Sequence, residues 1–278
     1  MNCGKCNPKN LGIDFSMAFQ PIVAFREKEI WGYETLVRGV NDESAAFILD
    51  QIDESRIHSF DQIIRSKAIR LAHSLQFDQI LSINFLPNAV YNPENCIRST
   101  LAVCDELGFE KKRVMFEVTE SEKINDHNHL RSIFNEYKKH EFLTAIDDFG
   151  AGYSGLNLLA EWQPDIIKLD MKLIRDIHSN KTKQLIVKSI IDICNDLNIR
   201  IISEGIETLE ELSVMVDFGV DLFQGYYFAK PLFENLPAVS PKCFNYPIHN
   251  NCVDKNCSSL KFAEKWLSPD SVSRTPAG

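Results

Sequence analysis

The sequence predicts an α/β barrel with one antiparallel strand. Short apolar runs alternate with amphipathic stretches from about residue 17 to about residue 236, the first two runs are joined too tightly for a helix, and polar residues recur at the ends of the runs. Alternation of strand and helix points to parallel pairing, with crossover helices on the outside.

In chain order, strands are expected at 18–23, 30–36, 80–85, 114–118, 143–146, 166–169, 200–203 and 222–226. Helical spacing of apolar residues places helices at 61–75, 95–107, 127–139, 181–197 and 209–218. Asp126 and Thr208 are suited to N-caps, and Gly108 and Gly219 to helix stops. Only Ala24-Phe25-Arg26-Glu27-Lys28-Glu29 joins the first two strands, so these should pair antiparallel. The expected organisation is an N-terminal tail at 1–14 with a C-x-x-C pair, a barrel at 15–236, and a proline-containing, partly mobile tail at 237–278 with one short helix at 260–267.

A length of 278 residues is ordinary for one such barrel. Hydrophobic residues make up 44% and charged residues 25%, the balance of a soluble globular chain. No apolar run reaches bilayer length, and Met1 to Cys6 lack the apolar core of a signal peptide, so a cytoplasmic location is expected. Thirty basic against thirty-nine acidic residues give a net charge of −9, which argues against DNA, RNA and anionic membranes as partners. A phosphate-bearing ligand would then need bound cations to convert a negative cluster into a phosphate site.

Glu34, Asn84, Glu117, Asp147, Lys168, Glu204 and Gln224 each fall at or near the C-terminal end of a different expected strand. Singly, each reads as a helix cap or a solvated loop residue. Together they share one structural phase, and in a parallel barrel the strand C-termini open on one face where catalytic groups collect. Period-2 alternation puts Ser82 with Asn84, Met115 with Glu117, Ile166 with Lys168 and Ile202 with Glu204 on one side, leaving Ile83 and Phe116 to face the helices.

Asp147 and Asp148 are adjacent, followed at once by the glycine-rich Phe149-Gly150-Ala151-Gly152-Tyr153-Ser154-Gly155. Neighbouring strand residues point to opposite faces, so two carboxylates reach one site most readily at a strand tip. Their repulsion calls for a proton or a cation. Glu34, Asn84, Glu117 and Asp147 offer an all-oxygen set for Mg²⁺ or Mn²⁺, and Asp147, Asp148 and Glu204 a second set with Asp147 bridging. Two such cations about 4 Å apart would polarise a phosphoryl oxygen and activate a shared water. Lys168 would orient or deprotonate that water. Histidine and cysteine are absent from these positions, against a zinc hydrolase.

These residues, in this order, resemble the EAL-domain cyclic di-GMP phosphodiesterases over about residues 15 to 232. The signature stands as Glu34-Thr35-Leu36 with Val37-Arg38 after it. Further blocks are Phe19-Gln20-Pro21-Ile22, Asn84, Phe116-Glu117-Val118-Thr119-Glu120, Asp147 to Ser154, Ile167-Lys168-Leu169-Asp170, Glu204-Gly205-Ile206-Glu207 and Gln224-Gly225-Tyr226. The resemblance implies a modified TIM (β/α)8 barrel with one antiparallel strand, a homodimer, and hydrolysis of cyclic di-GMP to linear pGpG with two Mg²⁺ or Mn²⁺ ions.

It further implies Glu34, Asn84, Glu117, Asp147, Asp148 and Glu204 as metal ligands and Lys168 as the residue holding the attacking water. Glu207 and Gln224 are implied as supporting groups, Glu207 in the catalytic set, with Gln20, Leu36, Arg38 and Gln224 at the substrate and Arg38 near a phosphate. Glu120 is implied as anchor of the glycine-rich loop, which in the family couples metal binding to dimer formation. Thr35 replaces the middle alanine of the signature and points to the opposite strand face, where it should be tolerated. A non-catalytic cyclic di-GMP receptor or an interaction module on the same fold would usually lack an acid, and none is missing here.

Outside the resemblance, Cys3, Cys6, Cys252 and Cys257, with His249 and Cys243, offer a loose structural zinc site against a reading as independent thiols. Cys96, Cys104 and Cys194 fall in helical patterns and read as packed residues, and Trp162 with Pro164 as a packed loop.

Overall fold

The computed structural model describes residues 12–120, 127–152 and 155–245. The terminal cysteines 3, 6, 252 and 257, His249, the cap at Asp126, the helix at 260–267, and Tyr153 lie outside the described residues.

Strand β1 (Phe15–Ala24) is buried along its whole length. It turns within five residues into β2 (Glu29–Gly39) and pairs with it antiparallel, Gln20 standing opposite Glu34. Parallel pairing then runs through β3 (Ile80–Asn84), β4 (Val114–Thr119), β5 (Leu143–Phe149), β6 (Ile166–Leu169), β7 (Arg200–Ser203) and β8 (Leu222–Phe223). β8 meets β1 antiparallel and closes an eight-stranded barrel. The expected antiparallel strand is therefore β1, which opposes both neighbours.

A short ninth strand, β9 (Leu232–Phe233), lies outside the barrel on Ala18 and Phe19 of β1. β8 covers β1 only at Val23 and Ala24, so β9 satisfies backbone groups higher on the same edge. β8 ends two residues after it begins, not at 226, because Gly225 takes φ 159° and the chain turns back so that Tyr227 N–H donates to Ile206 O.

Around the barrel lie α1 (Ala45–Leu49), α2 (Ile57–Ser74), α3 (Pro93–Cys96), α4 (Arg98–Leu107), α5 (His127–Lys139), α6 (Gly155–Glu161), α7 (Met171–Ile174), α8 (Lys181–Asp196) and α9 (Leu209–Asp217). The expected helix at 95–107 is two pieces, the first starting at Pro93 behind the Asn92 cap. α4 stops at Gly108 in the left-handed region, φ 65°, as its position suggested. α9 starts with a capping box: Thr208 accepts from Glu211 N–H, and the Glu211 carboxylate accepts from Thr208 N–H. The short elements α1, α6, α7 and β9 show too little of a period to be read from sequence.

Two cores result. Between strands and helices lies a large outer layer that includes Ile83, Phe116, Phe134 and Trp162. Trp162 stacks on Phe134 with centroids 3.7 Å apart, so the loop at Trp162 and Pro164 is packed. Cys96, Cys104 and Cys194 are buried, and burial pushes the Cys104 thiol up to about 11 and the Cys194 thiol up to about 12, as expected of packing residues. Inside the barrel sits a smaller cluster of Ile22, Ala24, Met115, Leu143, Ala145, Ile166, Ile202 and Leu222. Packing extends past residue 236, since the Phe244 ring lies 5.9 Å from Phe25 and 6.3 Å from Phe228. Among the described residues no helix is long and apolar enough to cross a membrane.

Candidate active site and metal centre

Two residues beyond the inner apolar cluster, on the same strand faces, Glu34, Glu117, Asp147, Lys168 and Glu204 converge. Lys168 is fully buried. Its Nζ lies 2.8 Å from Glu204 Oε1, 3.0 Å from Glu117 Oε2, 3.0 Å from Asp147 Oδ1 and 3.5 Å from Glu34 Oε2. Glu34 also accepts from the Asn84 amide at 3.0 Å and the Gln224 amide at 2.7 Å. Asn84 and Glu117 stand opposite each other in the β3–β4 register.

β5 brings in both members of the adjacent pair by breaking its own alternation. The β5–β6 register shifts between Ile146 and Phe149, and Asp148 adopts a left-handed backbone, φ 54°. A bulge of this kind re-aims one side chain, and L residues take that conformation only at a cost. Oxygens of Glu34, Glu117 and Asp147 form one group within 4.8 Å of one another, and those of Asp147, Asp148 and Glu204 a second. Asp147 belongs to both.

The protein does not neutralise this cluster by itself. Five carboxylates face one ammonium, and Asp147 Oδ1, although near Lys168, has no hydrogen bond. Burial, with Glu34 and Asp147 nearby, pushes Glu117 up to about 8 despite Lys168. Burial and the Asp147 charge push Glu204 well above the carboxylate range. Burial, Asp147 and Asp170 push Asp148 up to about 6. Burial alone would depress the Lys168 ammonium, but Asp147, Glu117, Glu204 and Glu34 together hold it well above its ordinary value. An oxygen-only set, buried at Glu34 and Glu117 and half-buried at Asp148 and Glu204, with more carboxylates than cations, fits hard divalent cations.

The other expected residues fall into three groups. Leu36 and Arg38 continue upward from Glu34 on the same face of β2, with Arg38 partly exposed and 3.6 Å from Asp42. Gln20 and Gln224 are buried, the Gln224 amide donating to Gln20 Oε1 at 3.2 Å and to the Glu34 carboxylate at 2.7 Å. Glu120 accepts from Gly150 N–H at 2.6 Å, Gly152 N–H at 3.3 Å and Gly155 N–H at 2.6 Å. A Cβ at Gly152 or Gly155 would stand 3.1 or 3.0 Å from that carboxylate group, which explains the glycines.

Glu207, expected in the catalytic set, stands apart from the cluster. Its carboxylate pairs with Arg175 at 2.7 Å and is 42% exposed, outside both oxygen groups. The chain leaves β7 through Gly205, φ 65°, and by Glu207 has reached the start of α9. Sequence reading also passed over two neighbours of the ligands. The Ser82 hydroxyl donates to Glu117 Oε1, and Asp170, the cap of α7, adjoins Asp148. Period-2 pairing with Asn84 was the available signal for Ser82. Thr35, the departure from the signature, is buried and donates to Ser82 O at 2.7 Å.

A cleft of about 620 Å³ opens elsewhere, between α2, α4 and the start of β1, where Gln62, Lys67 and Arg70 line it. Glu234 is the one carboxylate among its lining residues, and among the described residues the carboxylate groups lie at the strand ends.

A family model described as EAL domain matches residues 11–231. The chain is 31% identical over 229 residues to the blue light- and temperature-regulated antirepressor BluF of Escherichia coli, covering 82% of this chain and 57% of that protein. It is 30% identical over 223 residues to the probable cyclic di-GMP phosphodiesterase PdeG of Escherichia coli, covering 77% of this chain and 44% of that protein. The chain thus spans about half the length of these curated relatives. Among solved structures, a standalone versatile EAL protein from Vibrio cholerae O395 in a c-di-GMP bound form superposes with TM-score 0.82 at 51% identity, covering 85% of this chain and 100% of that one. Klebsiella pneumoniae BlrP1, in a manganese/cy-diGMP complex, gives 0.77 at 34% identity, with 84% and 59% covered.

Proposed function

Because the chain belongs to the EAL domain family, we propose that it is a metal-dependent phosphodiesterase that hydrolyses cyclic di-GMP to linear pGpG at the strand ends of its barrel. One observation carries the reading: two carboxylate groups share Asp147 around the buried Lys168. Glu34, Asn84, Glu117 and Asp147 would hold one Mg²⁺ or Mn²⁺, and Asp147, Asp148 and Glu204 a second. Bound there, the cations supply positive charge to the phosphoryl oxygens and lower the pKa of a water.

The chain's own residues do the rest. The Asn84 and Gln224 amides fix the Glu34 carboxylate, and Ser82 fixes that of Glu117. Lys168, fully buried among Glu34, Glu117, Asp147 and Glu204, is assigned to hold the attacking water, orienting or deprotonating it. Arg38, at the mouth on the face of Glu34, is assigned to the substrate phosphate, with Leu36 beside it. Water attacks phosphorus, one ester P–O bond breaks, and the ring opens with the leaving ribose oxygen taking up a proton. The catalytic unit is assigned to 15–236, the homodimer to contacts linked to the Glu120-anchored loop, and the location to the cytoplasm.

A receptor that binds without cleaving has one observation in its favour, the 31% identity to a protein named an antirepressor. The intact set of acids weighs against it. Incubation of the purified protein with cyclic di-GMP and Mg²⁺, followed by chromatography, separates the two: pGpG is expected, and bound but uncleaved cyclic di-GMP would establish the receptor.

A further inference from the structure

α2 buries an acid and a base on the outer side of the barrel, directly behind the cluster. Asp61 is 1% exposed and Arg65 0%, one helical turn apart, with Arg65 Nη2 2.6 Å from Asp61 Oδ2. Such a pair is not explained by stability. Desolvation of two charges offsets most of their attraction, and apolar residues of similar volume often serve as well.

The partners of the pair show what it holds. Asp61 Oδ1 accepts from Leu86 N–H at 3.1 Å, in the segment that leaves β3 two residues after Asn84. Arg65 Nη1 donates to the Tyr137 hydroxyl at 2.6 Å. The Arg65 guanidinium carbon lies 5.3, 5.1 and 5.5 Å from the ring centres of Phe85, Phe116 and Tyr137. Phe85 follows Asn84 directly, Phe116 precedes Glu117 directly, and Phe85 N–H donates to Glu117 O at 3.0 Å. The cation is therefore clamped behind the rung of β3 and β4 whose opposite face carries the Asn84 amide and the Glu117 carboxylate.

We propose that Asp61 and Arg65 are positioning residues for the cation held by Glu34, Asn84, Glu117 and Asp147, fixing the β3–β4 rung from behind through Leu86, Phe85 and Phe116. The inference rests on the proposed metal site but not on the reaction assigned to it. Apolar side chains can fill the volume of the pair, but they neither anchor Leu86 N–H nor attract the ring faces. Loss of the pair should therefore loosen the ligands more than it weakens the fold.

Titration of the full chain with Mn²⁺ alone, followed by calorimetry, tests this in Asp61→Leu/Arg65→Met beside the wild type and Ile191→Ala. Ile191 is a buried residue of α8, which packs on β7 and not on this rung, and its truncation controls for a general loss of stability. The double variant should fold and lose about tenfold in Mn²⁺ affinity, the usual effect of removing a partner behind a ligand. Ile191→Ala should lose melting temperature but not affinity. Equal affinity in the folded double variant and the wild type would overturn the proposal, as would an equal loss in Ile191→Ala. If the double variant does not fold, Arg65→Lys, which keeps the charge but not the planar fork over the rings, decides by the same affinity criterion. A wild type that binds Mn²⁺ yet leaves cyclic di-GMP intact would end the proposed reaction and leave the positioning role standing.

Discussion

On β4, β5, β6 and β7 the barrel interior carries Met115, Ala145, Ile166 and Ile202 in one layer and Glu117, Asp147, Lys168 and Glu204 in the next, two residues further on. The lower layer is closed by packing alone. The upper one, on the same backbone geometry and nearly as buried, leaves more carboxylates than its single ammonium can neutralise. Burial is thus not what separates core from site here. What separates them is whether the buried groups satisfy one another, and the upper layer does so only with help from outside the chain.

The largest effects should come from the upper layer. Asp147→Ala, which removes the residue common to both oxygen groups, should take turnover of cyclic di-GMP to background, as should Glu34→Ala. Lys168→Ala should lower kcat by about 10²–10⁴-fold with the circular dichroism spectrum retained. Retained turnover in the Asp147 variant would erase the contrast between the layers.

Next comes the lower layer, where Ile202→Ala should cost about 2–5 kcal/mol in denaturant unfolding. Its loss should appear in stability while Mn²⁺ affinity stays within a few-fold of wild type. A comparable loss of affinity would show that the layers are not separable.

A smaller effect concerns pH in the presence of a chelator. Glu117 is pushed up to about 8 and Asp148 up to about 6, so the folded chain binds more protons than the unfolded chain between the ordinary carboxylate values and these. Their contribution to stability is complete below the ordinary values and is lost as pH rises through about 6 and then about 8. The melting temperature in chelator should fall across this window, less so in Glu117→Gln, and added Mn²⁺ should offset the fall. Parallel profiles for wild type and Glu117→Gln would count against the assigned cause.

The smallest change expected is at Thr35, which touches neither layer. Thr35→Ala removes one buried hydrogen bond, worth about 1 kcal/mol, and should leave kcat unaltered. A large change in kcat would mean that the outward face of β2 also shapes the site.

α2 was legible because its buried stripe of Phe60, Arg65, Ala68, Ile69 and Ala72 repeats over several turns, and β3, β4, β6 and β7 because each is an apolar run between helical stretches. The short elements β9, α7 and α6 carry neither signal. Glu207 shows a different limit. Its place in the motif says that it is near Glu204 in the chain, but the turn at Gly205 carries its carboxylate away to Arg175.

By itself, the sequence determined the alternation of elements, the antiparallel first hairpin and the residues that end each strand, because side-chain periodicity and connection length are local properties. Tertiary structure alone decided that Asp147 and Asp148 reach one site through a bulge and a left-handed residue, that Gln20 and Gln224 face Glu34, and that Arg65 stands behind the rung of Asn84 and Glu117. These depend on distances between segments far apart in the chain, which only closure of the barrel sets.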